Sequence, residues 1–399
     1  MKTAVMYGAG SIGRGFIGAL FSKIGYEVVF IDVNDKVVQS INTEKKYPQI
    51  IMDESIETNW ITNIRAVDGK DEEAVIREIA AADIMATAVG ASVLMKIAPL
   101  IASGLVKRWE ANPNHTLDIL ICENLMDADE LLKEELKKVM PERYFAMMEE
   151  KLGIVETSIG RMVPPADPSS ITAEEHPLAV RVEKYDFLPV DKAAFKGKIP
   201  EYEKIIPFEP FHYYLERKLY IHNMAHVTTA YLGKRTGFTY IDESAKNVAV
   251  QRLIVGCMTE SAAMLSKKYK VNYSELHLHI ENLIQRFQNP LLKDTIERVA
   301  REPMRKLQPK DRLVGAARAC EKQGITPVYL SFAIALALSF FDTDNPVEVL
   351  NNICEIDTDE KLYQSIIHFY EKLLDSNYTL EQCIYDIEKY QAEIIGEII

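Results

Sequence analysis

Residues 3–32 read TAVMYGAGSIGRGFIGALFSKIGYEVVFID, and this stretch decides the fold. A short apolar run from Thr3 to Tyr7 is followed at once by glycines, and apolar residues then recur with helical spacing from Ile12 to Phe21. The pattern predicts a strand, a tight turn and a helix. Its glycines match GxGxxG, which is weak evidence by itself because glycines also mark ordinary turns.

Three further features favour a dinucleotide-binding unit. Gly25 suits the end of a helix, residues 27–31 predict a second strand, and Asp32 ends that strand near the ~20-residue spacing expected for the acid that holds the adenosine ribose. A carboxylate there accepts from a ribose 2′-OH and repels a 2′-phosphate, so we expect NAD rather than NADP. The predicted cofactor-binding residues are Gly8, Ala9, Gly10, Ser11, Ile12, Gly13, Asp32, Ala88, Val89 and Asn124.

Composition limits the kinds of protein this can be. With 399 residues the chain is long enough for two domains, each with its own core. The net charge of −13 argues against a nucleic acid or an anionic membrane as partner. Five cysteines without CxxC spacing suggest neither a disulfide framework nor a zinc ribbon. The N-terminus enters the first strand immediately, without a signal peptide, so we expect a cytoplasmic protein.

Strand-like and helical segments alternate through the first half of the chain, whereas helical periodicity dominates beyond Phe211. Alternation of this kind predicts a parallel sheet covered by helices on both faces, with ligands at the carboxyl ends of the strands. Residues 88–91 and 123–124 fall at such ends, and the strand-like runs from Gly153 to Asp191 are expected to extend the sheet.

The predicted fold class is therefore α/β in two domains. An N-terminal Rossmann-type NAD-binding domain is expected over residues 1–205, and a mainly α-helical substrate-binding and catalytic domain over residues 206–399. Because ligand sites prefer domain interfaces, we expect the active site in the cleft between them.

The segment ERKLYIHNMAHVTTAYLGK, from Glu216 to Lys234, carries the richest set of polar groups. On an α-helix, Lys218, His222 and His226 form one stripe within about 80°, and Asn223 lies about 60° from His226. An amine, an amide and imidazoles can then converge on one small cavity. An ordinary polar helix face explains the same spacing, and that alternative stays open at this point.

Two other chemistries have weaker support. His222 and His226 have the i, i+4 spacing of metal ligands, but Asn223 is not the glutamate of HExxH and no third ligand is evident, so no metal is expected. Tyr214 and Lys218 match the YxxxK of short-chain dehydrogenases, although this chain is much longer and the match is a common accident.

The sequence resembles the polyol-specific long-chain dehydrogenases, the mannitol dehydrogenase family, over most of its length. Their K-x4-N-x2-H signature appears as Lys218, Asn223 and His226. Further matching stretches are GAGSIGRGFIG at 8–18, TAVG at 87–90, GLVKR at 104–108, ICEN at 121–124, RMVPP at 161–165, FKG at 195–197, RFQNPLLKD at 286–294 and ERVAREPMRKL at 297–307. The resemblance implies metal-independent hydride transfer with Lys218 as general base, and a monomer or small homo-oligomer.

The residue types agree with that chemistry. Oxidation of a secondary alcohol needs a base for the hydroxyl proton and donors for the developing alkoxide, which Lys218 and Asn223 with Asn124 could supply. A lysine base requires a pKa about 2–3 units below its ordinary value, and burial beside a cationic nicotinamide lowers it. By the resemblance, His226 helps to position the substrate.

The short length favours the branch of the family that interconverts D-mannitol 1-phosphate and D-fructose 6-phosphate. A phosphorylated substrate needs a basic cluster in an acidic protein, and arginine forks match phosphate oxygens. Two of the candidates coincide with positions that the wider family uses around the substrate, Arg298 and Lys306. The predicted phosphate ligands are Arg298, Arg301, Arg305 and Lys306.

Departures from the family pattern leave alternatives open. Ser11 replaces the usual asparagine, Gly160 replaces an aspartate, and Ala225 stands where the family has glycine. An NAD-dependent dehydrogenase of another polyol, sugar phosphate or hexuronate is one alternative. The other is a dinucleotide-sensing protein without catalysis, which would not need the Lys218, Asn223 and His226 set.

Overall fold

The computed structural model describes residues 1–125, 127–164, 176–340 and 345–398, so Pro165 of the RMVPP motif lies outside the described residues. The chain divides into two compact units, Met1–Leu215 and Glu216–Ile399. The predicted boundary after residue 205 divides an NAD-binding domain from a substrate-binding and catalytic domain. This division of roles stays a prediction.

The elements of the first unit follow the expected alternation. Its described strands are β1 (Thr3–Tyr7), β2 (Glu27–Asp32), β3 (Tyr47–Met52), β4 (Ile56–Ile61), β5 (Ile64–Asp68), β6 (Ile84–Thr87), β7 (Leu117–Ile121), β8 (Leu152–Glu156), β9 (Val180–Glu183), β10 (Leu188–Asp191) and β11 (Ile205–Phe208). Its described helices are α1 (Gly18–Lys23), α2 (Asp35–Glu44), α3 (Glu72–Ala81), α4 (Ala91–Leu94), α5 (Ala98–Ala111), α6 (Ala128–Val139) and α7 (Phe145–Lys151).

A six-stranded sheet in the order β5-β2-β1-β6-β7-β8 is the centre of the described first unit, and every neighbouring pair in it is parallel. The residues of β1 alternate between two buried apolar clusters, with Ala4 and Met6 in one and Val5 and Tyr7 in the other. A strand that is buried on both faces is apolar throughout, because neither face meets water. The predicted Rossmann fold is confirmed.

One part of the predicted sheet is wrong. Of the described strands between Gly153 and Asp191, only β8 joins the main sheet, whereas β9 pairs with β3, and β10 pairs with β11. The physical reason is that β9 has another partner surface: the Val180 and Val182 side chains would lie 3.0 Å from a Cβ on Gly15, in the helix that follows the glycine turn. The sheet β4-β3-β9 therefore covers that helix.

The helix after the glycine turn contains a π-helical turn at Gly13–Ile17, and side chains bind the carbonyl groups of this turn. The Tyr47 hydroxyl donates to the Arg14 carbonyl at 2.7 Å, and the Gln49 amide donates to the Gly15 carbonyl at 2.8 Å. Both donors are fully buried and belong to β3. Two buried side-chain donors from β3 therefore stabilise the carbonyl groups of this turn.

The second unit is helical in its described part, as predicted. Its helices are α8 (His212–Arg217, which begins in the first unit), α9 (Met224–Thr236), α10 (Ile241–Lys246), α11 (Val248–Tyr269), α12 (Tyr273–Phe287), α13 (Ile296–Ala300), α14 (Pro303–Lys306), α15 (Val314–Lys322), α16 (Val328–Leu338), α17 (Pro346–Asn352), α18 (Lys361–Leu373) and α19 (Leu380–Ile398). A π-helical turn, Lys218–Asn223, joins α8 to α9. By length and composition α11 could cross a membrane, but more than half of it is buried in the protein, which is typical of a core helix.

We expect Tyr47→Phe to lower the free energy of unfolding by about 1–2 kcal/mol, because it leaves the Arg14 carbonyl without its buried hydroxyl donor. Urea denaturation followed by circular dichroism measures the change. Tyr385→Phe, at an exposed position, is the control and should change little. An unchanged unfolding free energy in Tyr47→Phe would contradict the role given to the β3 side chains.

Candidate active site

The glycine turn between β1 and the π turn is shaped by close backbone contacts. Gly8 has a φ of +103°, and a Cβ there would lie 2.5 Å from the Ala88 carbonyl oxygen. A Cβ on Gly13 would lie 1.9 Å from the Gly8 carbonyl oxygen. Gly10 differs, since a Cβ on it would meet nothing within 4 Å. Packing therefore requires Gly8 and Gly13, while Gly10 borders open space of the kind that a pyrophosphate occupies.

Asp32 lies against this turn. Its carboxylate accepts a hydrogen bond from the Ala9 N–H at 2.7 Å through one oxygen and from the Asn34 N–H at 2.9 Å through the other. A carboxylate offers about four acceptor positions, so two remain for the hydroxyl groups of a ligand. The helix begins beside it, where the Arg14 N–H donates to the Gly10 carbonyl at 3.0 Å. The N–H groups ahead of Arg14 suit an anion.

A buried carboxylate that we did not assign from sequence links the ends of β6 and β7. Glu123 accepts from the Thr87 hydroxyl at 2.7 Å and from the Val89 N–H at 2.9 Å. The Ala88 N–H donates to the Tyr7 carbonyl at 2.8 Å. The backbone donors of Ala88 and Val89 are therefore used within the protein, which leaves their carbonyl groups and side chains for the predicted cofactor contact. Asn124 follows β7 and is exposed.

The π turn changes the register of the predicted catalytic helix. From sequence we assumed α-helical spacing, in which Lys218 and Asn223, five residues apart, point about 140° away from each other. In the π turn Lys218–Asn223, hydrogen bonds run from residue i to i+5, which brings these two side chains to the same side. His226 follows Asn223 by one α-helical turn. The K-x4-N-x2-H spacing therefore corresponds to one π turn and one α turn.

His222 belongs to the core rather than to an open stripe. It is 7% exposed, and its ring centroid lies 5.7 Å from that of Phe287 and 6.2 Å from that of His226. Burial lowers the pKa of His222 well below its ordinary value, and the nearby positive charges of Arg286 and Lys218 lower it further. The imidazole of His222 is neutral. Among the described residues, no group of three or more His, Cys, Asp or Glu side chains is arranged to hold a metal ion.

His226 is fixed by two neighbours. Its ring stacks on Phe287, with centroids 5.0 Å apart and planes 20° apart, and its Nε2 lies 2.9 Å from Asp294 Oδ2. The two atoms are in contact, but the contact lacks the geometry of a good hydrogen bond. Asp294 Oδ1 accepts from Arg298 Nε at 2.8 Å. Burial raises the pKa of Asp294, but His226 and Arg298 outweigh it, so the pKa is below its ordinary value and the carboxylate is ionised.

Asp294 was not predicted as a site residue. The signal in the sequence was its position four residues before Arg298, at the end of the RFQNPLLKD stretch. Spacing alone would have suggested an ordinary surface pair, whereas the structure gives one carboxylate shared by His226 and Arg298.

The four predicted phosphate ligands have different surroundings. Arg298 is partly exposed and paired with Asp294, and Arg301 is exposed. Arg305 pairs with Glu302 at 3.1 Å and with Asp311 at 3.3 Å. Their role toward a phosphate stays a prediction.

Lys306 is 4% exposed and caps the end of α13. Its amine donates to the carbonyl groups of Val299 and Arg301. Burial, with the positive charges of Arg312 and Arg305, lowers the pKa of Lys306 to about 8. This lysine is thus used within the fold, and its predicted contact with a phosphate would require another arrangement of its side chain.

Gly160, where the resembling family has aspartate, lies against an aromatic ring. A Cβ there would lie 3.2 Å from the ring of Tyr185, which is a tight contact. The ring therefore restricts the space beside this position, and a larger side chain would require Tyr185 to move.

Comparison with known proteins gives matches along almost the whole chain. Residues 2–204 match the family model of the mannitol dehydrogenase Rossmann domain, and residues 211–389 match that of the mannitol dehydrogenase C-terminal domain. A mannitol-1-phosphate 5-dehydrogenase of Caldanaerobacter subterraneus subsp. tengcongensis is 37% identical over 340 residues, 85% of this chain and 86% of its own. One of Thermoanaerobacter pseudethanolicus is 36% identical over 363 residues, 90% of each chain.

Two solved structures have the same fold. A D-sorbitol dehydrogenase in substrate-free form has a TM-score of 0.77 at 14% identity and covers 93% of each chain. The Pseudomonas fluorescens mannitol 2-dehydrogenase, a ternary complex with NAD and D-mannitol, has a TM-score of 0.69 at 14% identity, covering 96% of this chain and 94% of its own. Likeness at this identity establishes the fold alone.

We expect the stability difference between the wild type and Lys306→Met to depend on pH. Between about pH 8 and pH 10.5 the unfolded lysine binds more protons than the folded one, so the wild type gains stability over the variant as pH rises, on the order of 1–3 kcal/mol. Urea denaturation at pH 7 and pH 10 measures this gain. Lys310→Met, at an exposed position, is the control. A difference that is the same at both pH values would contradict the burial of a charged amine.

Proposed function

Because the chain belongs to the mannitol dehydrogenase family, we propose that it is an NAD-dependent enzyme that interconverts D-mannitol 1-phosphate and D-fructose 6-phosphate. The observation that carries the proposal is the K-x4-N-x2-H set on consecutive π and α turns, in a chain whose relatives at 36–37% identity have this activity in their names. The family makes the protein a polyol dehydrogenase. The phosphorylated substrate and the roles of individual residues are the proposal.

NAD fits the residues around the glycine turn. The open space beside Gly10 accepts the pyrophosphate, and the Asp32 carboxylate, already bound to the Ala9 N–H, accepts from the ribose hydroxyls. The 2′-phosphate of NADP would meet this negative charge. When bound, NAD supplies the acceptor for the hydride that leaves the carbinol carbon.

Side chains of the protein transfer the hydroxyl proton of the substrate and stabilise the negative charge on its oxygen. Lys218 takes the hydroxyl proton during oxidation and returns it during reduction, while the Asn223 amide donates to the oxygen as negative charge develops on it. Asn124 is a proposed second donor. His226, held by Phe287 and Asp294, contacts a hydroxyl of the polyol and orients it. A positioned base and positioned donors each contribute roughly a hundredfold or more to the rate.

A phosphorylated substrate suits the charge of this region better than a neutral polyol does. The whole chain carries −13, yet the positive charges of Arg286 and Lys218 act on the buried His222. Arg298 lies on the other side of Asp294 from His226 and is partly exposed. A local excess of positive charge in an acidic protein attracts an anionic ligand.

The direct test mixes the purified protein with NADH and D-fructose 6-phosphate and follows nicotinamide absorbance. Free D-fructose and NADPH are tested in parallel. We expect oxidation that requires both NADH and the phosphorylated sugar. Turnover of free polyols or uronates instead would overturn the substrate proposal, and NADH binding without turnover of any of them would indicate a dinucleotide sensor.

Lys218→Ala is expected to lower kcat by about 10²–10⁴-fold while NADH binding stays within a factor of two, because the variant removes the base and not the cofactor contacts. Steady-state kinetics and NADH fluorescence titration measure the two effects. Lys234→Ala, an exposed lysine further along α9, is the matched control. If Lys218→Ala kept the wild-type kcat, another group would have to be the base.

Asp32→Ser is expected to weaken NADH binding about 10–100-fold and to reduce the preference over NADPH, because two charge-assisted acceptors and a repelling charge are lost. Fluorescence titration with each cofactor measures both effects. Asp35→Ser removes a carboxylate three residues away that is exposed and paired with Lys70, and should bind NADH like the wild type. Equal NADH affinity in Asp32→Ser would refute the ribose contact.

A further inference from the structure

The Asp294 carboxylate lies between two groups of the proposed site. One oxygen, Oδ1, is 2.8 Å from Arg298 Nε and 2.6 Å from a terminal nitrogen of the same guanidinium. The other oxygen, Oδ2, is 2.9 Å from His226 Nε2. Both carboxylate oxygens are therefore used, one for each partner. The Asp294 side chain is 12% exposed, so water screens these contacts less than it screens a surface ion pair.

The backbone holds this carboxylate in place. The Asp294 carbonyl accepts from the Ile241 N–H at 2.9 Å, and the Ile296 N–H donates to the Thr239 carbonyl at 3.0 Å. These bonds fasten the start of α13 to the segment before α10. The Thr295 hydroxyl caps α13 by accepting from the Arg298 N–H at 3.3 Å. Asp294 is thus a fixed point from which side chains on two different helices, α9 and α13, are held.

The two partners differ in how much freedom they keep. His226 is stacked on Phe287, which is 2% exposed, so Asp294 adds a second restraint to a ring that is already packed. Arg298 is 42% exposed, and without Asp294 its long side chain would have many rotamers. The carboxylate therefore matters most for the position of the Arg298 guanidinium, whose positive charge it also stabilises.

We propose that Asp294 is a positioning and specificity-determining residue: it holds Arg298 toward the phosphate of the substrate and His226 toward a hydroxyl of the same molecule. The proposal rests on the proposed function for its phosphate. One carboxylate then links recognition of the anionic end of the substrate to orientation of the reacting end. A phosphorylated sugar is bound by both Arg298 and His226, whereas a free sugar is bound only by His226.

The consequence is a measurable coupling between Asp294 and Arg298. Asp294→Asn keeps the size of the side chain but loses the charge, so Arg298 is released and His226 loses its anionic neighbour. For D-fructose 6-phosphate we expect kcat/KM to fall about 30–100-fold, with a higher KM and a lower kcat. For free D-fructose the fall should be less than 10-fold, so the preference for the phosphorylated sugar decreases.

The test is a double-mutant cycle with Asp294→Asn, Arg298→Gln and the double variant, each measured with NADH and both sugars. If Asp294 acts through Arg298, the double variant loses much less than the product of the two single losses. Asp294→Glu keeps the charge and should recover a large part of the preference. Glu297→Gln, at an exposed neighbouring position on α13, removes the same charge and should behave like the wild type.

The outcomes separate this inference from the proposed function. Turnover of D-fructose 6-phosphate by the wild type, with losses that multiply or that are equal for both sugars, would overturn the inference alone, since it would leave Asp294 a purely structural role. A wild type that does not reduce this sugar would overturn the proposed function. In that case the contact between Asp294 and His226 is tested by imidazole ¹⁵N NMR spectra, in which the His226 resonances are assigned with the His226→Asn variant. Asp294→Asn must shift the His226 resonances and Glu297→Gln must not, and unshifted resonances would overturn the inference.

Discussion

The contact between Gly13 and the Gly8 carbonyl is the constraint on which the first unit depends. A Cβ on Gly13 would lie 1.9 Å from that oxygen, so no other residue lets the helix start so close to β1. The approach brings the helix N-terminus beside the strand ends and places the Ala9 N–H 2.7 Å from the Asp32 carboxylate. The turn, the helix end proposed to bind the pyrophosphate and the carboxylate proposed to bind the ribose thus depend on one backbone contact.

Both helices that carry proposed site residues contain a π-helical turn, and each turn has different contacts. At Gly13–Ile17 it leaves carbonyl groups that bind Tyr47 and Gln49 from β3, so a small sheet outside the Rossmann core holds the cofactor helix. At Lys218–Asn223 it brings the proposed base and the proposed amide donor to one side. Such turns are frequent at functional sites because they shift the register of side chains within a continuous helix.

The sequence predicted what depends on local chemistry. The glycine turn, the acid after β2, the parallel sheet and the helical second half follow from spacing and periodicity, and the structure has them. The sheet containing β3 and β9 could not be predicted in this way, since these strands pair across more than a hundred residues of chain. The contacts of Glu123 and Asp294 were not predicted either, because no sequence motif identifies Thr87 as a partner of Glu123 or His226 as a partner of Asp294. The π turn at Lys218–Asn223 was not predicted, because the sequence pattern was interpreted with 3.6 residues per turn throughout the helix.

Isotopic labelling shows directly whether a hydride passes between NAD and the sugar phosphate. The protein would be given NADH deuterated at the transferring position of the nicotinamide, together with D-fructose 6-phosphate, and the product analysed by mass spectrometry and NMR. We expect D-mannitol 1-phosphate with one deuterium on the carbon that was the carbonyl. A reduced product without deuterium, or oxidation of NADH without any polyol phosphate, would contradict it.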